Sequence, residues 1–104
     1  MYKIVEIESS GNIQEKLAKL EFALGNMLVE KYVSADEKEI IFECKKYFLR
    51  TGTYISGNII VKISSQIVTV YISSAGGGRG MLNITFGVNE KFVDMLLQYV
   101  HEYI

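Results

Sequence analysis

From Glu39 to Ser73 the chain reads as three β-strands in succession, and this run constrains the fold more than any other feature. Apolar residues recur at every second position in Glu39–Leu49, Tyr54–Ser64 and Ile67–Ser73, the spacing of a strand with two different faces. Arg50-Thr51-Gly52 and Ser65-Gln66 interrupt the pattern, and turns this short can join only antiparallel neighbours. Period two sends Ile40, Phe42, Cys44 and Phe48 to one side, and Ile41, Glu43, Lys45, Tyr47 and Leu49 to the other. In the next two segments Ile59, Val61, Ile63, Val68, Val70 and Ile72 alternate with Asn58, Ile60, Lys62, Thr69 and Tyr71. At 104 residues such a chain encloses one core, so residues 1–104 read as a single α+β domain.

The flanking segments supply two further strands and two helices. Tyr2 to Glu8 alternates, with Val5 and Ile7 on one face and Tyr2 and Ile4 on the other. From Ile13 the period lengthens: Ile13, Leu17, Leu20 and Leu24 form one apolar stripe, which predicts a helix over 13–24. Ser9 to Asn12 offer capping side chains before it, and Gly25 stands where a left-handed residue ends a helix. Met27 to Val33 reads as the next strand, with Val29 and Val33 on one face and Leu28 and Tyr32 on the other. The polar turn at Ala35–Lys38 joins it to the strand from Glu39. Near the end, Asn89 reads as an N-cap, and Phe92, Met95, Leu96, Tyr99, Val100 and Tyr103 mark a second helical stripe. The predicted order is β-α-β-β-β-β-α: a mainly antiparallel sheet with both helices on one face, since each has a single stripe to bury.

Between the last strand and the last helix lies SSAGGGRGMLNITFG, residues 73–87, which holds Gly76, Gly77, Gly78 and Gly80 around Arg79. Clustered glycines can turn successive N–H groups toward one anion, with Arg79 adding charge, so Gly76–Gly80 is a candidate ligand-binding loop. It lacks the Gly-Lys-Ser/Thr ending of a P-loop and the spacing of a dinucleotide fingerprint. The competing reading is structural: glycines let the backbone leave the sheet and cross tightly beneath a helix. Met81 to Phe86 alternates weakly, as a short sixth strand or an irregular crossing.

SSAGGGRGMLNITFG followed by NEKFVDML resembles a small bacterial domain-of-unknown-function family, in which a Ser/Ala-Gly-Gly segment precedes an aromatic-Gly pair and a C-terminal helix. Lys46 to Gly52 looks like a second shared element. The resemblance implies no activity. The element order is similar to the TATA-binding-protein-like architecture, a likeness of topology that implies nothing about DNA.

Composition removes several classes of function. A net charge of -1 offers no field for nucleic acid or an anionic membrane. The chain has no apolar run long enough for a membrane helix, and Glu6 and Glu8 interrupt the neutral core a signal peptide would need. One cysteine and no proline exclude an intrachain disulfide and a Pro-rich linker; a reducing, cytoplasmic setting is expected. Cys44 shares its face with Phe42 and reads as a core residue. His101 stands near the end of a helix with no spaced co-ligands, so neither a metal nor another cofactor is expected. Glu30, Asp36, Glu37, Glu39 and Glu43 interleave with Lys31, Lys38, Lys45 and Lys46, which suggests cross-strand pairing on a solvated hairpin.

The tyrosines are more informative. Tyr2, Tyr32, Tyr47, Tyr54 and Tyr71 fall on or near strands, several on the face away from the expected core, with Ile41 and Ile60. Few cations accompany them, which disfavours an RNA platform. A homodimer or a protein partner would cover this surface, with Tyr47, Ile60 and Tyr71 as interface candidates; loops folded over it are the alternative. The sequence leads to a non-enzymatic interaction domain, no catalytic residues being visible. The second expectation is a small-molecule or anion binder with its pocket between sheet and helices.

Overall fold

A computed structural model describes residues 2–8, 11–76 and 87–104. The elements follow in the expected order: β1 (Tyr2–Glu8), α1 (Ile13–Leu24), β2 (Leu28–Val33), β3 (Glu39–Phe48), β4 (Thr53–Ser64), β5 (Ile67–Gly76) and α2 (Val88–Tyr103). The strands form one antiparallel sheet in the order β1-β5-β4-β3-β2. Sequence neighbours pair from β2 through β5, because the turns between them leave no other choice, and β1 closes onto the free edge of β5.

Both helices lie on one face of the sheet. α2 runs over β5 and β4 with α1 beside it, while α1 also faces Lys31, Val33 and Ile40 of β2 and β3. Leu17, Leu20 and Leu24 of α1 and Val88, Phe92, Val93, Leu96 and Val100 of α2 meet Ile40, Phe42, Ile55, Ile59, Val61, Val68, Val70 and Ile72 from below. At about 1.5–3 kcal/mol for each large side chain removed from water, this layer dominates the stability of the domain.

Local chemistry explains where the elements begin and end. Asn12 caps α1 by accepting from the N–H groups of Gln14 and Glu15 at 3.0 and 3.3 Å. A short 3-10 turn at Gly25–Met27 follows, so β2 starts one residue later than its apolar pattern suggests. In the β2–β3 turn Asp36 accepts from the Ser34 hydroxyl at 2.6 Å and from the Lys38 N–H at 3.0 Å. Those donors, the hydroxyl foremost, lower the Asp36 pKa.

Three expectations need correction. A bulge between Leu28 and Glu30 changes the parity of β2, so Leu28, Lys31 and Val33 oppose Cys44, Phe42 and Ile40 on the helix side, while Val29 is exposed. Asn89 does not cap α2. The helix starts two residues earlier, at Val88 behind Gly87 in the left-handed conformation (φ 75°). Asn89 is held instead by the Ser74 hydroxyl, 2.9 Å from its main-chain oxygen and 3.0 Å from its side-chain oxygen. Third, β5 continues to Gly76, which pairs with Ile55, so the first glycine of the cluster belongs to the sheet. Gly77, Gly78, Arg79, Gly80 and the Met81–Phe86 segment lie outside the described residues.

Candidate functional site

The sheet face turned away from the helices carries the feature of interest, and it is built by register. Ile4 pairs with Tyr71, Tyr71 with Ile60, Ile60 with Ile41, and Ile41 with Tyr32. Directly opposed residues of antiparallel strands project to the same face. Five side chains, one from each strand, therefore line up as a continuous apolar belt across the full width of the sheet. Ile4 and Tyr32 at its ends are about half exposed (54% and 49%), and no element of the described chain lies over the belt.

Polar rows flank it. On one side run Glu6, Thr69, Lys62 and Glu39; on the other Tyr2, Ser73, Asn58, Glu43 and Glu30. Lys62 lies over the Tyr71 ring at 5.4 Å from its centroid, so the cation covers part of the belt without breaking it. Glu30 and Glu43 oppose each other directly, an unfavourable pairing of like charges. Glu30, followed by Glu43, raises the pKa of the exposed Tyr32 phenol.

The structure brings together two of the three interface candidates. Ile60 and Tyr71 are cross-strand partners at the centre of the belt. Tyr47 shares their face but sits toward the end of the sheet, paired with Tyr54 in an edge-on contact of 5.3 Å, where Lys45 lies 4.9 Å from the Tyr54 ring. Ile4, Ile41 and Tyr32 complete the belt; Ile41 and Tyr32 belong to the outer surface expected from sequence but not to the interface candidates, because nothing in a linear pattern says which residues of distant strands stand opposite.

The other candidates separate. His101 is exposed in the last turn of α2, and no group of three potential metal ligands occurs among the described residues. Among the described residues no ion pair joins the hairpin carboxylates to Lys31, Lys38, Lys45 or Lys46; Lys31 instead meets Glu21 of α1 at 2.7 Å. Cys44 is buried between the sheet and the helices. Burial, with a smaller contribution from Glu43, pushes its thiol up to about 12, which makes it a poor nucleophile at neutral pH. Native protein should therefore resist a thiol reagent such as iodoacetamide at pH 8, and label only at the rate of unfolding. Because the folded thiol keeps its proton while the unfolded one loses it near pH 9, Cys44 stabilises less as pH rises from 9 toward 12. Denaturant melts of wild type and Cys44→Ala should draw together by on the order of 1 kcal/mol between pH 7 and pH 10.

Compared with known proteins, the chain matches no family model, no curated protein and no solved structure.

Proposed function

We propose that this domain is a non-enzymatic interaction module of the cytoplasm that self-associates face to face through the belt Ile4–Tyr71–Ile60–Ile41–Tyr32. The continuity of that belt over all five strands carries the reading. Five strands about 4.8 Å apart and some 25–30 Å long give a face of about 600–700 Å². That approaches the area each partner contributes to a standard stable interface, about 800 Å².

A second copy of the chain suits this face better than an unrelated surface, because the face is complementary to itself. Consider a two-fold axis running along β4 over Ile60. It lays β5 on the partner's β3 and β1 on the partner's β2, as the strand order dictates. Tyr71 then meets Ile41, Ile4 meets Tyr32, and Ile60 meets its own copy, so every ring packs on an aliphatic side chain. In the polar rows Glu30 meets Tyr2 and Glu43 meets Ser73, which places a hydroxyl donor against each carboxylate of the repulsive pair. Thr69 meets Glu39, so the two Lys62 side chains near the axis are flanked by carboxylates. The alternative axis, across the strands, would set Glu43 on Glu39. Such reciprocal contacts are what an isologous dimer requires.

The same charges argue against nucleic acid. Glu6, Glu8, Glu30, Glu39 and Glu43 outnumber Lys45 and Lys62 on this face, which would repel a phosphate backbone. No helix among the described residues is long and apolar enough to cross a membrane.

Light scattering coupled to size exclusion tests the reading. Wild type at about 100 µM should elute as two chains per particle. Ile60→Glu, which brings two carboxylates together at the axis, should elute as one, with association weakened at least about 100-fold. A wild-type monomer at that concentration, or a dimer indifferent to Ile60→Glu and Tyr71→Glu, overturns it.

A further inference from the structure

The net charge of -1 conceals a separation of charge along the sheet. None of the 12 acidic residues lies between Glu43 and Glu90, a stretch that holds Lys45, Lys46, Arg50, Lys62 and Arg79. Strand register turns this gap in the sequence into two unlike ends. At the end with the β2–β3 and β4–β5 turns stand Asp36, Glu37 and Glu39. Glu6 and Glu8 are beside them, since Glu8 pairs with Ile67, Ile67 with Ser64, and Lys62 with Glu39. Lys38 and Lys62 offset these acids in part. At the other end β3 turns into β4, and there Lys45, Lys46 and Arg50 are joined by Lys91 from the first turn of α2. Glu90 in that helical turn and Glu43 further back on β3 reduce the positive charge without reversing it. The expectation of no field for an anionic membrane thus holds for the molecule as a whole and not for this end.

The cationic end is also apolar at its tip. Leu49, in the β3–β4 turn, is 90% exposed, and Tyr47 and Tyr54 behind it are about half exposed. Lys45 is exposed on the same face as these rings. The turn closes on itself: the Gly52 N–H and the Thr51 hydroxyl both donate to the Phe48 carbonyl oxygen, at 2.9 and 3.3 Å. Two polar groups of the turn are thereby satisfied without water, as a segment entering lipid requires.

We infer that the β3–β4 tip docks on an anionic lipid surface, with Leu49 entering the acyl layer, Tyr47 at headgroup level, and Lys45 and Lys46 meeting the phosphates. Tyrosine favours that level of a bilayer because its ring is apolar and its hydroxyl wet. A nucleic acid would reward the lysines as well, but a phosphate backbone leaves Leu49 in water, so the exposed leucine decides for lipid. One leucine with a few cations binds a membrane only weakly, and lasting attachment takes a second signal. The face-to-face dimer supplies it, and this step rests on the self-association proposed for the belt. Its axis runs along β4, so the rotation leaves the strand direction unchanged and both tips emerge at the same end. Two tips reaching one plane together gain by avidity.

Vesicles of phosphatidylcholine, alone or mixed with phosphatidylserine, are the probe. The protein should sediment with the mixed vesicles and not with phosphatidylcholine alone, and less so as salt is raised. Leu49→Ser should weaken binding at least about tenfold, and Lys45→Gln and Lys46→Gln about fivefold each, all with an unchanged Tm. Lys19→Gln on α1 should bind as wild type does. Ile60→Glu, shown by light scattering to be one chain per particle, should bind at least about tenfold more weakly and still depend on Leu49. A wild-type monomer that binds through Leu49 supports the tip and overturns only the avidity. No sedimentation with the mixed vesicles, or equal sedimentation of Leu49→Ser, overturns the inference. Equal binding of wild type and Leu49→Ser to an RNA oligonucleotide, with none to vesicles, would assign the cationic end to nucleic acid and overturn it as well.

Discussion

Gly57→Ala should lower the stability of the domain by about 1–3 kcal/mol, and Gly57→Val by more, although glycine ordinarily weakens a strand. Gly57 lies in the middle strand of the sheet, on the face beneath α2. A Cβ there would stand 2.9 Å from Leu96 Cδ1, 2.9 Å from Phe92 Cε2 and 3.2 Å from the Ser73 carbonyl oxygen. Leu96 and Phe92 have no exposed surface, so neither ring nor methyl has space to yield, and the carbonyl belongs to the sheet. The bare backbone at Gly57 thus sets how closely α2 approaches. Gly11 is the instructive control. Nothing lies within 4 Å of its Cβ position, but its φ is +79°, so Gly11→Ala meets backbone strain, worth about 1 kcal/mol, instead of a collision. Urea melts compare the two, and the distinction lies in packing. Gly57→Ala should change near-ultraviolet circular dichroism or the NMR shifts of Phe92 and Leu96, and Gly11→Ala should not. A Gly57→Ala protein as stable as wild type would mean that α2 does not rest on this backbone.

Much of this fold is legible in the sequence because most of its segments state their period clearly. In β3, β4 and β5 the apolar residues alternate with breaks in the inner row at Lys46, Gly57 and Ser74, so inner and outer faces follow directly. α1 combined a stripe, a cap at Asn12 and a stop at Gly25. Where the readings failed, two local signals competed. MLVEKYV allows either parity, and the bulge beside Val29 selects the one that puts Leu28 against Cys44. Asn89 has the chemistry of a cap, but a bond to Ser74, fifteen positions earlier, claims it. That bond exists only because the end of β5 and the start of α2 meet in space. The belt was half legible: parity placed Ile60 and Tyr71 on the outer face, but only register joins them to Ile4 and Tyr32.

Phe92→Ala should be the most damaging single change, costing about 3–5 kcal/mol out of a total that for a domain of this size is roughly 5–15 kcal/mol. Phe92 is completely buried, meets Phe48 edge-on at 5.9 Å, and reaches the space above Gly57. Its removal therefore deletes a large apolar side chain, breaks an aromatic pair and leaves a cavity that the rigid sheet below cannot fill. The same geometry dictates how the two substitutions combine. In a Phe92→Ala background the Cβ of Gly57→Ala no longer meets a ring, and it occupies part of the new void. Adding Gly57→Ala should then cost less than it does in wild type, with a coupling of about 0.5–3 kcal/mol. A double-mutant cycle by urea denaturation reads this directly. Additivity within about 0.5 kcal/mol would show that ring and glycine do not share one space, and would leave the seating of α2 on β4 to Leu96 alone.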